Sequence, residues 1–412
     1  MGKMRRFICS VFCIVVVLGM TGCQKVETTP LAKKDANEAP SVQQIPVISA
    51  EEQWAIDNGL NLDESPEELY QKALAEGGKV VIYTASSRHA KVKSDFEAAY
   101  PGMELIAYNI STGELIEKLR TEYEAELRVA DIVQSKEVSG EYTLEFFQNG
   151  ILHNYQPASI FGNVSSEYLK NVTPFFVELS TWFYNDSAYP DGSPIDSWWD
   201  LIRPEWNGKV IFQDPTSSPT YMTLLATMIR DDVAQQMAES YKAEFGTDIV
   251  LAADEPNAGY AWINRFLKSD YTLSSVADET VKAVGTAPDT KLVGYSASSK
   301  IREKEKAMPY LQSDMEHFYP GLGVYGLNFV SIVNEAPHPN GAKLYIQYVM
   351  GGKDGNGKGF APFNTLGAFP VRPETIPPKG SINLSQIPLF EIDYEYNQDA
   401  MSLVYDYWLE RR

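Results

Sequence analysis

Residues 79–134 constrain the fold more than any other stretch of the chain. "KVVIYTA" is apolar or β-branched throughout after Lys79 and reads as a buried strand. "HAKVKSDFEAAYPG" reads as a helix that stops at Pro101-Gly102. "MELIAYNI" is the next strand, and "STGELIEKLRTEYEAEL" is an amphipathic helix with Leu115, Leu119 and Tyr123 on one face. "ADIVQ" is the third strand. This βαβαβ order predicts a parallel sheet with right-handed crossovers. In such sheets ligands sit beyond the carboxyl ends of the strands. The loops there are "TASSRH" and "NISTGE".

The start of the folded part is signalled by "SPEELYQKALAEGG". Ser65 and Glu68 form a capping box, Pro66 takes the first helical position and Gly77 closes the helix. From there to residue 412 the chain is long for one core, which predicts two lobes. Ahead of it, "QKVETTPLAKKDANEAPSVQQIP" is polar, contains Pro30, Pro40 and Pro46, and shows no period. Residues 23–64 are therefore expected to be a disordered tether. Earlier still, Lys3, Arg5 and Arg6 precede the apolar run Phe7 to Met20 and the small pair Thr21-Gly22. That is the layout of a secretory signal over residues 1–22, and the run is shorter than the roughly 20 residues a membrane span needs. Leu18 to Cys23 resembles the lipobox of bacterial lipoproteins, with Met20 where leucine is commonest. The resemblance implies a diacylglycerol on the Cys23 thiol and a membrane anchor. The other cysteines, Cys9 and Cys13, lie inside the signal, so Cys23 has no partner once it is removed. Acylation would spare the exported chain a free thiol, and several acyl chains at one site suffice for anchoring.

The formal net charge is -20. Such a surface repels nucleic acid and anionic headgroups, so membrane contact is assigned to the lipid alone. No 20–50-residue repeat occurs. No G-x-S-x-G or H-E-x-x-H occurs either, and His153, His317 and His338 lie in no catalytic setting. The chain is expected not to be an enzyme and to need no cofactor. "GLGVYG" (residues 321–326) precedes a strand instead of opening a helix, which removes the dinucleotide reading. "GKDGNGKG" (residues 352–359) has Gly359 where a phosphate-binding loop needs Ser or Thr.

Four segments in order carry a family resemblance. They are "EELYQKALAEGGKVVIYTASSRH" with the βαβαβ unit after it, "SWWDLIRPEWNGKVIFQDPTSSPTYMTLLATM", "GLNFVSIVNEAPHPNGAKLYIQYVMG" and "FNTLGAFPVRPETIPPKG". Together they resemble the extracellular solute-binding proteins of ABC importers, in the branch that handles ferric iron, phosphonates, sugar phosphates and thiamine. The resemblance covers most of residues 66–380. It implies the type 2 periplasmic-binding-protein fold: two α/β lobes, each a mainly parallel sheet flanked by helices, with the ligand cleft between them. Lobe 1 would take residues 65–176 plus 319–370, and lobe 2 residues 177–318 plus 371–412. It also implies a monomer that closes on its ligand and hands it to a permease.

The candidate binding residues lie in the loops just named. Ser86, Ser87 and Arg88 follow the first strand, where hydroxyls and a guanidinium suit an anion. Ser111, Thr112 and Gly113 start a helix, a ready anion site, although Ser111 with Glu114 also spells a capping box. Thr216, Ser217 and Ser218 sit in "FQDPTSSPTY", which the resemblance turns toward the ligand. "KLVGYSASSKIR" falls where iron-binding members carry adjacent tyrosines, but here Tyr295 is followed by Ser296. Both are taken as ligand contacts. His89 and Tyr295 are the metal ligands under the ferric-iron alternative. The set is rich in neutral donors and poor in carboxylates, which favours an organic anion over a bare trivalent cation. A cell-surface enzyme or a ligand sensor on the same scaffold is the alternative of another class. Trp182, Trp198, Trp199, Trp206 and Trp262 are read first as packing residues.

Overall fold

The structure is a computed structural model that describes residues 48–412. The signal, Cys23 and residues 23–47 of the expected tether lie outside the described residues. The rest of the expected tether is not without structure. Ala50–Asp57 is a helix (α1), capped by Ser49, whose Oγ accepts from the Glu52 N–H at 3.1 Å. Pro66–Ala75 (α2) carries the capping box: Ser65 Oγ accepts from the Glu68 N–H at 3.3 Å, and the Glu68 carboxylate accepts from the Ser65 N–H at 3.0 Å. Gly77 and Gly78 then turn the chain with φ of +103° and +69°. A side chain at Gly78 would also strike the Gly102 carbonyl, so this turn needs glycine twice over.

The βαβαβ unit follows as expected. It consists of β1 (Lys79–Thr84), α3 (His89–Ala99), β2 (Glu104–Asn109), α4 (Thr112–Glu124) and β3 (Ile132–Glu137). β1 lies between β2 and β3 and runs parallel to both. The chain continues through β4 (Leu152–His153) and two short helices, α5 (Ala158–Phe161) and α6 (Ser166–Leu169). It then enters β5 (Pro174–Asn185), which is buried along its length except at Glu178. A second unit comprises β6 (Val210–Gln213), α7 (Pro219–Met228), α8 (Asp231–Phe245), α9 (Ala258–Leu267), β7 (Tyr271–Ser274), α10 (Ala277–Gly285) and β8 (Val293–Ala297). Here β6 lies between β7 and β8, again parallel to both. The remaining elements are β9 (Leu311–Ser313), β10 (Tyr325–Val333), α11 (Pro339–Val349), β11 (Ala368–Pro370) and α12 (Tyr394–Arg411).

The strand order is β2-β1-β3-β10-β5-β8-β6-β7, with β4, β9 and β11 off this path. Two parallel wings therefore flank a middle in which β10 and β5 run antiparallel to their neighbours. The sheet as a whole is mixed, parallel within each wing and antiparallel where the wings meet. The antiparallel strands are the ones that carry the chain between the halves. β5 pairs with β10 up to Leu179 and with β8 from Ser180 onward, so one continuous strand serves both wings.

The second half is filled by an aromatic layer. Trp198 lies 5.7 Å from Trp182, 5.2 Å from Trp262 and 5.4 Å from Tyr295, ring centre to ring centre. All five tryptophans named above are buried, so they pack the core.

Candidate functional site

The carboxyl ends of β1, β3, β6 and β8 open onto one cleft with two chambers. The larger, of 460 Å³, is lined by the amino end of α4 (Ser111, Thr112, Gly113) and that of α7 (Ser218, Pro219, Thr220). Ser217, Tyr142 and Ala277, the first residue of α10, complete much of its wall. The smaller, of 300 Å³, is lined by Ser86, Ser87, Arg88, Glu178, Ser299, Lys300 and Arg302. Thr112, Lys136 and Ala297 line both, so the chambers join there.

Local structure explains what each wall offers. Ser111 and Glu114 do form the capping box, with N–H to oxygen distances of 3.3 and 3.0 Å. The box uses the N–H groups of Ser111 and Glu114. Those of Thr112 and Gly113 stay without an acceptor among the described residues, as helix geometry requires of a first turn. In α7 Pro219 has no N–H, and Thr220 is left with an unbonded one in the same way. Capping and anion binding are thus compatible here, since they use different N–H groups.

Cations converge on the smaller chamber. Arg88 lies between the rings of Phe176 and Phe363, 5.8 Å from each centre. Burial lowers its pKa; Glu178 opposes that and Arg302 adds to it. Lys300 is paired with Asp278 at 2.6 Å. Glu178 is the carboxylate that lines this chamber, and Glu141 in the larger one is already held by Arg120 at 2.7 Å. A trio of carboxylates, Asp196, Asp200 and Glu244, gathers elsewhere, but Arg203 forms ion pairs with Asp200 and Glu244 and supplies its positive charge.

No family model matches the chain, and no curated protein matches it. Solved structures do. AfuA, a periplasmic binding protein from Actinobacillus pleuropneumoniae with exogenous fructose-6-phosphate bound, is 16% identical with a TM-score of 0.60, over 81% of this chain and 98% of that one. Iron-bound HitA from Pseudomonas aeruginosa is 15% identical with a TM-score of 0.59, over 80% and 99%. The periplasmic binding protein P5PA is 18% identical with a TM-score of 0.58, over 81% and 99%. The fold is that of the periplasmic binding proteins.

Within that binding-protein fold, the expected residues divide. Ser86, Ser87, Arg88, Ser111, Thr112, Gly113, Ser217 and Ser218 line the cleft. Thr216 is not among the lining residues; its hydroxyl donates to Asp214 at 2.7 Å. Tyr295 and Ser296 line neither chamber. Tyr295 is 1% exposed, its hydroxyl donates to the Leu322 carbonyl at 2.9 Å, and burial drives its pKa well above the ordinary value. Ser296 is turned to the other face of β8, where its hydroxyl donates to the Ala277 carbonyl at 3.2 Å. β8 is covered on both faces, so neither side chain reaches the cleft. Residues that the sequence reading passed over take their place. Lys136 near the end of β3 is one, since that strand runs on beyond Gln134. Ser299, Lys300 and Arg302, just past β8, are the others.

His89 is not poised for metal either. It is buried, with Nδ1 2.7 Å from the Tyr345 hydroxyl and its ring 5.0 Å from that of Phe363. It packs against Tyr345 and Phe363, whereas Tyr295 packs against Trp182, Trp198, Phe212 and Tyr221. Burial pushes the His89 pKa down to about 3. The unfolded chain takes up this proton near pH 6.5 and the folded one does not. Stability from this group is therefore complete above pH 6.5 and falls by about 1.4 kcal/mol per pH unit below it, toward pH 3. Between pH 7.5 and 4.5 the wild type should lose roughly 2–3 kcal/mol more than His89→Phe in urea unfolding. Parallel pH profiles for the two proteins would overturn this.

Proposed function

We propose that the chain is the solute-binding component of an ABC importer that captures a small anionic organic solute bearing phosphate, phosphonate or carboxylate. The observation that carries this reading is the gathering of Arg88, Lys136, Lys300 and Arg302 with two helix amino ends in one cleft of a chain whose net charge is -20. Cations retained in so acidic a molecule mark where an anion is wanted. Ferric iron stands second. It needs several anionic oxygens, whereas Glu178 and the Arg120-bound Glu141 are the carboxylates lining the cleft.

The mechanism in this proposal is closure of two lobes over the solute, followed by recognition of the closed form by a permease. The lobes divide as residues 65–176 plus 319–370 and residues 177–318 plus 371–412, and the chain acts as a monomer. Thermal-shift titration tests the solute class. Sugar phosphates, phosphonates or small carboxylates should raise Tm with concentration, because a ligand of the folded form stabilises it. Their uncharged parent alcohols should not. Equal shifts from the uncharged parents, or a larger one from ferric citrate, would sink the anionic reading.

The exported, lipid-anchored state belongs to the same proposal and is supported by the sequence around Cys23. Cys23→Ser should leave the membrane fraction or stay unprocessed. Processed protein that still sediments with membranes would refute the anchor.

A further inference from the structure

Two guanidinium groups from different halves of the sheet meet over one hydroxyl. Arg88 lies in the turn after β1, and Arg302 in the 3-10 segment Ser298–Glu305 after β8. Arg88 Nη2 donates to Ser299 Oγ at 3.4 Å, and Arg302 Nη1 donates to the same oxygen at 2.8 Å. Ser299 is 2% exposed, while both arginines are half-buried, so water screens the pair in part. Arg302 also has Glu303 at 3.2 Å, and Lys300 has Asp278. That leaves Arg88 and Lys136 without an ion pair among the described residues, and with Arg302 they line a 300 Å³ chamber whose carboxylate is Glu178. A neutral hydroxyl cannot offset two like charges, but an anion between them can.

The larger chamber makes a separate demand. Its donors are backbone N–H groups at the starts of α4 and α7, and Lys136 stands at the junction. A single anionic group seated at those helix ends would leave the two arginines with Glu303 and Glu178 to balance them and no anion between them. One seated between the arginines would leave the helix ends unused.

We propose that the cleft takes a solute with two separated anionic groups, one at the amino ends of α4 and α7 and the other between Arg88 and Arg302 over Ser299. This rests on the binding-protein reading above and narrows it to bisphosphates and phosphorylated carboxylic acids. The second group also has a conformational task. Arg88 and Arg302 stand on different halves, so a closure that holds them this near is unfavourable until an anion lies between them. A solute with both groups therefore favours the closed state more than a solute with one.

Matched ligand pairs test this by calorimetry on the purified chain at about 0.15 M salt. The pairs are glycerol 3-phosphate with 3-phosphoglycerate, and fructose 6-phosphate with fructose 1,6-bisphosphate. In at least one pair the doubly anionic member should bind roughly tenfold or more tightly than its partner. Arg302→Gln and Arg88→Gln should each bring that ratio close to one. Arg302→Lys, which keeps the charge, should retain most of it and shows that the fold survives change at this position. Equal affinities within both pairs would overturn the second anion subsite and leave the anionic-solute reading intact. A ratio that persists in both Gln variants would overturn it too. Failure of every anion to bind would remove the underlying reading along with it.

Discussion

Lys136→Glu should weaken binding of the best organic phosphate by about a hundredfold or more, while the Tm of the ligand-free protein moves little. Lys136 lines both chambers, so any anion seated in either one feels it. Its stem is fixed by contact with β10, since a side chain at Gly326 would collide with its methylenes. Replacing a cation by a carboxylate there removes an attraction and adds a repulsion at short range. Losing one partner of a buried charge pair costs about 2–5 kcal/mol, which brackets this loss. Among the described residues Lys136 has no carboxylate partner, so the free protein loses no ion pair. Calorimetry on wild type, Lys136→Gln and Lys136→Glu gives the series. A loss under tenfold in the Glu variant would mean that the solute binds elsewhere.

Trp198→Ala should destabilise the fold by about 3–5 kcal/mol, a large part of the roughly 5–15 kcal/mol that a domain commands. Trp198 is fully buried, touches the rings of Trp182, Trp262, Tyr295 and Phe318, and donates its Nε1–H to the Gly321 carbonyl at 2.7 Å. Truncation opens a cavity in a rigid aromatic layer and leaves that carbonyl without its donor. Trp262 Nε1–H donates to the Trp198 main-chain carbonyl at 2.7 Å and would be kept. Urea unfolding measures the cost. A change below about 1 kcal/mol would show that the layer repacks, against the argument from close packing.

Legibility followed the length of the signal. The first βαβαβ unit declared itself because β1 is a continuous apolar run, α3 stops at Pro101-Gly102 and α4 starts at a capping box. The orientation of β10 and β5 left no such trace. A buried antiparallel strand and a buried parallel one have the same composition, so the mixed middle was invisible. Tyr295 and Ser296 show why the site was half seen. "YSASS" offers hydroxyls at nearly every position, and the ladder decides which belong to the strand and which lie beyond it. The strand runs to Ala297, and the residues past that point reach the cleft. Lys136 was missed for the complementary reason. β3 extends past its apolar run, carrying a charged residue to the end where ligands sit. Helix α1 has no residue buried along it and no apolar stripe to read.

That same short helix determines how the molecule bears a load. Trp54 rests 5.4 Å from the His153 ring, and Glu51 lies against Gly150. Just downstream, Lys343 of α11 donates to the Asn58 carbonyl at 2.8 Å and pairs with Glu64 at 2.5 Å, while Gln347 donates to the Glu64 carbonyl at 2.9 Å. Every one of these grips belongs to the wing built on β1, β3 and β10. A pull applied at this helix would therefore pass through these contacts into that wing. If the chain hangs from its amino end, this wing is the stationary jaw. On the closure proposed above, the wing carrying Arg302, α7 and α12 would then be the one to swing, with Arg88 on the side that stays still.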